Sequence, residues 1–91
     1  MKTMIFLQLD CKPGEVWKRG LKYAQQYSAE LVALFLIEKE NDLLRAQELL
    51  TNLLEQAAQA GITAGSEIVV RHENFDIFAY KNKHDARLLI M

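Results

Sequence analysis

The feature that most constrains the fold is an unbroken apolar run, Leu31 to Ile37, which is flanked by Glu30 and by Glu38-Lys39-Glu40. An apolar run of this length between charges is typical of a strand covered on both faces, as in a parallel sheet. A shorter apolar segment, Met4 to Leu9, has the same character and is followed by an acid, Asp10. Both segments therefore predict buried strands.

A helix is predicted after the first strand. Breakers lie in the segment Cys11 to Gly14, and from Glu15 to Tyr27 the apolar residues recur at helical spacing. Gly20 falls in the middle of this helix, where glycine costs about 1 kcal/mol relative to alanine. We interpret Gly20 as a point where the helix approaches the sheet closely.

The rest of the chain continues the alternation of strand and helix. A helix capped by Asn41 or Asp42 is predicted to run to about Ala60, and Gly61 suits the left-handed residue that ends it. The later elements are predicted in this order: a loop at Thr63 to Ser66, a strand at Glu67 to Val70, a short helix from about Phe75 to Asn82 capped by Asn74, and a strand at Arg87 to Met91. The βαβαβαβ order predicts an α/β domain with a parallel sheet.

Bulk properties exclude several classes of protein. The chain of 91 residues is one small domain with a net charge of −1, so it lacks the basic surface of a nucleic-acid-binding protein. No apolar run approaches the roughly 18 residues needed to span a bilayer. The single cysteine, Cys11, cannot form an internal disulfide and fits a reducing cytoplasm. We expect a cytoplasmic domain without a membrane segment.

Taken together, these residues resemble the universal stress protein family. The likeness lies in the acid after the first strand, in the segment Ala29 to Glu38, in the turn at Gly61-Ile62, in the third strand, and in Asp85 to Met91. The resemblance implies a three-layer, Rossmann-like domain similar to the adenine nucleotide alpha hydrolases. It also implies a four-stranded parallel sheet in the order 3-2-1-4.

The resemblance also implies a nucleotide site at the switch point of the sheet. Asp10 matches the acid that contacts adenosine, Ile37 or Glu38 matches the position whose backbone meets adenine, and Met91 precedes the position of the first phosphate-loop glycine. Lys12, in the turn after the first strand, could add one weak contact to an anion. The candidate ligands are ATP and AMP, with no other cofactor and no metal expected.

The sequence differs from the family in the part of the site that would bind phosphate. Its nucleotide-binding members continue after the fourth strand with a glycine-rich segment, a helix and a fifth strand, whereas this chain resembles a domain cut off after the fourth strand. None of the four glycines forms a phosphate-binding motif. We expect weak binding of ATP or none.

Self-association, or binding to another protein partner, is expected instead. Without a fifth strand the fourth would be an apolar edge, and such an edge recruits another strand. We predict a homodimer centred on Leu88, Leu89, Ile90 and Met91, with Ile5, Leu7 or Leu9 contributing from the first strand. Such a dimer would hide roughly 800 Å² per partner.

No catalytic pattern is visible in the sequence, so we expect no enzyme. His72 and His84 are interpreted as solvated loop residues, and Cys11 as a loop residue without special reactivity. Four alternatives stay open at this point: a nucleotide site completed in trans or by further C-terminal residues, an enzyme of another doubly wound family, a piece of a longer protein, and a receiver domain. The last fits poorly because it needs an acidic pair near the first strand.

Overall fold

The sheet forms around the long apolar run. A computed structural model describes residues 2–91, which form β1 (Lys2–Gln8), α1 (Pro13–Tyr27), β2 (Glu30–Ile37), a 3-10 turn (Glu40–Asp42), α2 (Leu43–Gln59), β3 (Ala64–Val70), α3 (Ile77–Lys83) and β4 (Leu88–Ile90). The four strands are parallel and lie in the order β3-β2-β1-β4. The predicted fold class and strand order are therefore confirmed.

Two helices cover one face of the sheet. Ile5 and Leu7 from β1 and Phe35 from β2 point to this side, where they pack with residues of α1 and α2. Trp17 of α1 is fully buried there, and its indole Nε1 donates a hydrogen bond to the carbonyl oxygen of Leu53 in α2 at 2.8 Å. This bond ties the two helices together over the middle of the sheet.

The opposite face carries the third layer. Met4, Leu34 and Leu36 are buried on this side, and α3 with its preceding loop packs against them through Phe75, Ile77 and Tyr80. Since side chains alternate along a strand, β1 and β2 contribute to both faces. This explains why their sequences are continuously apolar.

Gly20 lies where close approach was predicted. A Cβ atom at this position would stand 2.6 Å from Cδ1 of Ile5, which is nearer than side-chain packing allows. Gly61 has φ 74°, in the left-handed region, and follows the end of α2 as predicted.

Some predicted boundaries and caps were wrong. β3 begins at Ala64, because the small residues of the predicted loop pair with β2 from Leu31 onward. The α3 cap is Asp76, whose carboxylate accepts a hydrogen bond from the Phe78 amide at 3.0 Å, and not Asn74. Asp42 does precede α2, but its side chain makes no capping hydrogen bond.

None of the helices in residues 2–91 is long and apolar enough to cross a membrane.

Candidate functional site

A cleft opens at the carboxyl ends of β1 and β2, the edge where doubly wound sheets bind ligands. Its volume is about 240 Å³, and its walls come from the turn after β1, the end of β2 and the start of α2. The lining residues are Gln8, Leu9, Asp10, Cys11, Leu36, Ile37, Glu38, Asp42 and Arg45.

The turn after β1 places Asp10 at the mouth of the cleft. The amide of Cys11 donates to the Gln8 carbonyl at 3.2 Å, and the Cys11 thiol donates to the Gln8 side-chain oxygen at 3.4 Å. This closes a tight turn with Asp10 exposed at its tip. Asp10 is therefore held by backbone geometry, two residues beyond the end of the strand.

The start of α1 offers little to a phosphate group. Lys12 adopts a left-handed conformation with φ 49°, and its carbonyl accepts hydrogen bonds from the amides of Glu15 and Val16. Pro13 has no N–H, so Gly14 supplies the only amide in positions 13–16 that is left without a partner. Anion sites at helix starts depend on several free amides together, and this one has too few.

The charges lining the cleft are mostly negative. Asp10, Glu38 and Asp42 contribute carboxylates, and Arg45 contributes the one guanidinium in the lining. Glu38 is already paired outside the cleft, where both of its oxygens accept from Nε of Arg71, at 2.8 and 3.0 Å. Asp10 and Asp42 still outnumber Arg45, so the remaining charge of the lining is negative.

The structure brings together only part of the residue set predicted from the sequence. Asp10 and Ile37 line the same cleft, but Lys12 and Met91 do not. Met91 follows the end of β4, and its carbonyl oxygen accepts a hydrogen bond from Nη2 of Arg19 in α1 at 3.2 Å. The cleft therefore lies between β1 and β2 and does not reach β4.

Sequence reasoning missed Arg45. It lies on the first turn of α2, and it is not part of the apolar stripe from which that helix was predicted. The signal that could have found it is its position: a residue early in a helix that follows a parallel strand lies near the carboxyl edge of the sheet.

A second polar cluster lies between β3 and α3. Oε2 of Glu67 accepts from Nζ of Lys83 at 3.2 Å, and Oε1 of Glu67 is bonded to Nε2 of His84. Burial alone would raise the pKa of Glu67, but hydrogen bonds from His84 and Lys83 outweigh that and hold this pKa below its ordinary value.

The interpretation of both histidines as solvated loop residues was thus wrong for His84, which is three-quarters buried against Glu67. His72 is exposed, with its ring edge-on to Phe75. The pairing of His84 with Glu67 spans 17 residues and leaves no periodic trace in the sequence.

Only part of the predicted association surface is exposed to solvent. Leu88 is 37% exposed and Met91 is 66% exposed, while Leu89 and Ile90 are half-buried. The contribution expected from the first strand was wrong, because Ile5 and Leu7 are fully buried beneath α1 and Leu9 packs against the same cluster. The half-buried apolar residue of β1 on the other face is Phe6.

The cleft contains no recognisable catalytic arrangement. Its one nucleophilic side chain, the Cys11 thiol, contacts an amide oxygen and no base, and both histidines lie elsewhere. Within residues 2–91, no three His, Cys, Asp or Glu side chains are grouped so as to hold a metal ion. The carboxylates of the cleft can accept hydrogen bonds from a small polar ligand.

No family model matches this sequence, and no curated protein does. The solved structures similar to the chain include two universal stress proteins. A protein from the universal stress protein family of Burkholderia pseudomallei superimposes with a TM-score of 0.79 at 14% identity, over 97% of this chain and 77% of that one. A universal stress protein from Archaeoglobus fulgidus superimposes with a TM-score of 0.75 at 15% identity, over 98% of this chain and 72% of that one. These likenesses show that the chain has the universal stress protein fold.

Proposed function

We propose that this chain is a non-enzymatic protein of the universal stress type, located in the cytoplasm, that acts by self-association and binds ATP weakly or not at all. The observation that carries the proposal is the uncharged free edge of β4, which pairs with β1 on one side only in the described sheet. Unpaired N–H and C=O groups along such an edge favour the addition of another strand.

The two edges of the sheet differ in their protection. β3 has Glu67 at its centre with Lys83 and His84 beside it, and charges of this kind discourage pairing with another chain. β4 consists of Leu88, Leu89 and Ile90 alone. Self-association is therefore expected at β4 and not at β3.

A second copy of the chain is a suitable partner for this edge. In a two-fold symmetric dimer each copy presents the same surface, and two β4 strands would run antiparallel across the axis. With the axis at Leu89, the middle of the three residues, Leu88 of one copy lies opposite Ile90 of the other. The chain carries a net charge of only −1, so two copies repel each other little.

The charges of the cleft support the proposal that ATP binds weakly or not at all, because they are unfavourable for a triphosphate. A triphosphate would meet Asp10 and Asp42 with Arg45 as the one compensating cation, and α1 offers it a single free amide. Tight phosphate sites combine several backbone amides with positive charge. Neither condition is met at the cleft or at the start of α1.

A nucleotide-binding stress protein whose site is completed in trans, or by further C-terminal residues, is the second candidate. The observation in its favour is that Asp10 and Ile37, the two residues expected to contact adenosine, line one cleft. Calorimetry with ATP and AMP separates the two proposals. A dissociation constant below about 10 μM that is lost in Asp10→Ala would establish the second candidate.

Light scattering after gel filtration tests self-association. At about 100 μM we expect twice the 10.5 kDa mass of one chain. Met91 and Leu44 are each 66% exposed, so Met91→Lys and Leu44→Lys form a matched pair. Met91→Lys and Leu88→Lys should give monomers, and Leu44→Lys, on α2, should remain a dimer. A monomeric wild type, or a dimer that survives both β4 substitutions, would contradict the proposal.

A further inference from the structure

The outer edge of β3 carries free backbone groups at alternate residues. β3 is the end strand of the sheet, and it pairs with β2 along its whole length, Ala64–Val70. The amide of Leu31 donates to the carbonyl of Thr63, and the amide of Arg71 donates to the carbonyl of Ile37. Since such contacts recur at every second residue of a parallel ladder, the even-numbered residues of β3 turn their N–H and C=O groups outward.

An apolar groove of about 510 Å³ lies beside this edge, on the face of the sheet that α2 covers. Its apolar lining comes from Leu43, Leu50 and Leu54 of α2 and from Ile68 of β3. Leu43 is 40% exposed, and Leu54 and Ile68 are half-buried, so apolar surface remains open to a ligand. Because side chains alternate along a strand, the even-numbered residues of β3 share the face of Ile68. Free backbone groups and apolar side chains therefore occur together along one edge.

We propose that this edge and groove bind an extended peptide segment of a partner protein, which adds to β3 as an antiparallel strand. Strand addition takes its affinity from main-chain hydrogen bonds and its specificity from pockets for alternate side chains. Antiparallel pairing is slightly more stable per residue than parallel pairing. Peptide residues opposite Ser66 and Ile68 then direct their side chains into the groove, so these peptide residues should be apolar.

The charges around the groove favour a basic peptide over a second copy of this chain. Arg45 is the only basic residue of α2, and it lines the cleft instead of the groove. Glu48 and Glu55 are exposed on the same helix and make its solvent side negative. A second copy paired symmetrically about the middle of β3 would set Glu67 opposite the same carboxylate, and like charges in that position are destabilising. A peptide with an uncharged residue there avoids this repulsion.

Titration of the ¹⁵N-labelled chain with the capped peptide Lys-Lys-Val-Thr-Val-Thr-Val-Lys-Lys tests the proposal. Saturable amide shifts are expected at residues 64–70 and at Gln47 and Thr51, which also line the groove. The dissociation constant should be about 100 μM. Replacing the lysines by glutamates should weaken binding, and so should the order Thr-Val-Val-Val-Thr between the same lysines, because it breaks the alternation.

Backbone methylation of the peptide isolates strand addition from charge. In the proposed pairing the valine N–H groups face β3 and the threonine N–H groups face solvent. A peptide N-methylated at its valines should therefore bind at least about tenfold more weakly, and one N-methylated at its threonines should keep its affinity within about twofold.

Leu43→Gln and Leu44→Gln form a matched pair in the protein. Leu43 lines the groove, whereas its neighbour Leu44 is 66% exposed outside it. Leu43→Gln should weaken binding by about fivefold, with Leu44→Gln unchanged. Met91→Lys should bind the peptide as the wild type does, since β4 takes no part. Equal affinities of the two N-methylated peptides, shifts at residues 88–91 in place of 64–70, or no shift at about 1 mM peptide would overturn the proposal.

Discussion

Gly20 lies directly against Ile5: a Cβ atom added to the glycine would stand 2.6 Å from Cδ1 and 3.0 Å from Cγ1 of the isoleucine. The contact sets how closely α1 approaches β1, which is also the strand that pairs with β4. Gly20→Ala should lower the free energy of unfolding by about 1 kcal/mol, since overpacking at 1–3 kcal/mol outweighs a helix-propensity gain of about 1 kcal/mol. Urea unfolding followed by circular dichroism measures this.

Two further variants isolate the cause. Gly14 is also helical, but a Cβ there would meet no atom within 4 Å, so Gly14→Ala should be neutral or stabilising. Ile5→Val removes Cδ1 but keeps Cγ1, so in that background Gly20→Ala should destabilise clearly less. If Gly20→Ala destabilises the Ile5→Val variant as much as it destabilises the wild type, the contact with Cδ1 is not the cause.

The buried hydroxyl of Thr3 is a second testable point. Thr3 is completely buried between Leu31 and Leu88, and its Oγ1 has no hydrogen-bond partner within residues 2–91. Because an unpaired buried hydroxyl costs about 1–3 kcal/mol, Thr3→Val should raise the free energy of unfolding by about 1 kcal/mol. Thr3→Ser keeps the hydroxyl and loses the methyl group, so it should destabilise. Equal effects of valine and serine would contradict this reasoning.

The hydrogen bond from Trp17 to Leu53 should contribute measurably to stability. Trp17→Phe removes the donor and leaves a small cavity, and we expect a loss of about 2–3 kcal/mol, of which about 1 kcal/mol is the bond. Circular dichroism must follow the unfolding, because Trp17 is the only tryptophan in the sequence. A loss below about 0.5 kcal/mol would show that the bond and the packing contribute little.

Stability in acid should depend on Glu67. Since the folded state lowers the pKa of this carboxyl from its ordinary 4.5, its contribution is present above that pH and is lost as the pH falls through the folded-state pKa. The stability difference between the wild type and Glu67→Gln should therefore shrink between pH 6 and pH 3 in urea titrations. A difference that stays constant over this range would contradict the assignment.

The architecture followed from local patterns, whereas the details that depend on tertiary contacts did not. The apolar run Leu31 to Ile37 indicated a central strand because both faces of β2 are covered, and Gly20 indicated close packing because glycine is costly inside a helix. Ala64 to Ser66 join β3 only because β2 offers them a pairing partner, which overrides their weak strand propensity.

The candidate site was predictable to a smaller extent. Asp10 and Ile37 could be placed because each follows or ends a strand at the same edge of the sheet. Arg45 reaches the cleft from a helix, and Glu67 meets His84 across two elements, so neither contact leaves a pattern in the sequence. Met91 was expected near the cleft, yet the cleft forms between β1 and β2, one strand away from β4.

The measurement that tests the central claim most directly is a dilution series of amide ¹H–¹⁵N spectra, from about 500 μM to about 10 μM. Self-association through β4 predicts concentration-dependent shifts at residues 88–91 and at Phe6, with residues 64–70 of the opposite edge unchanged. Shifts centred on β3, or a spectrum that does not change with concentration, would contradict it.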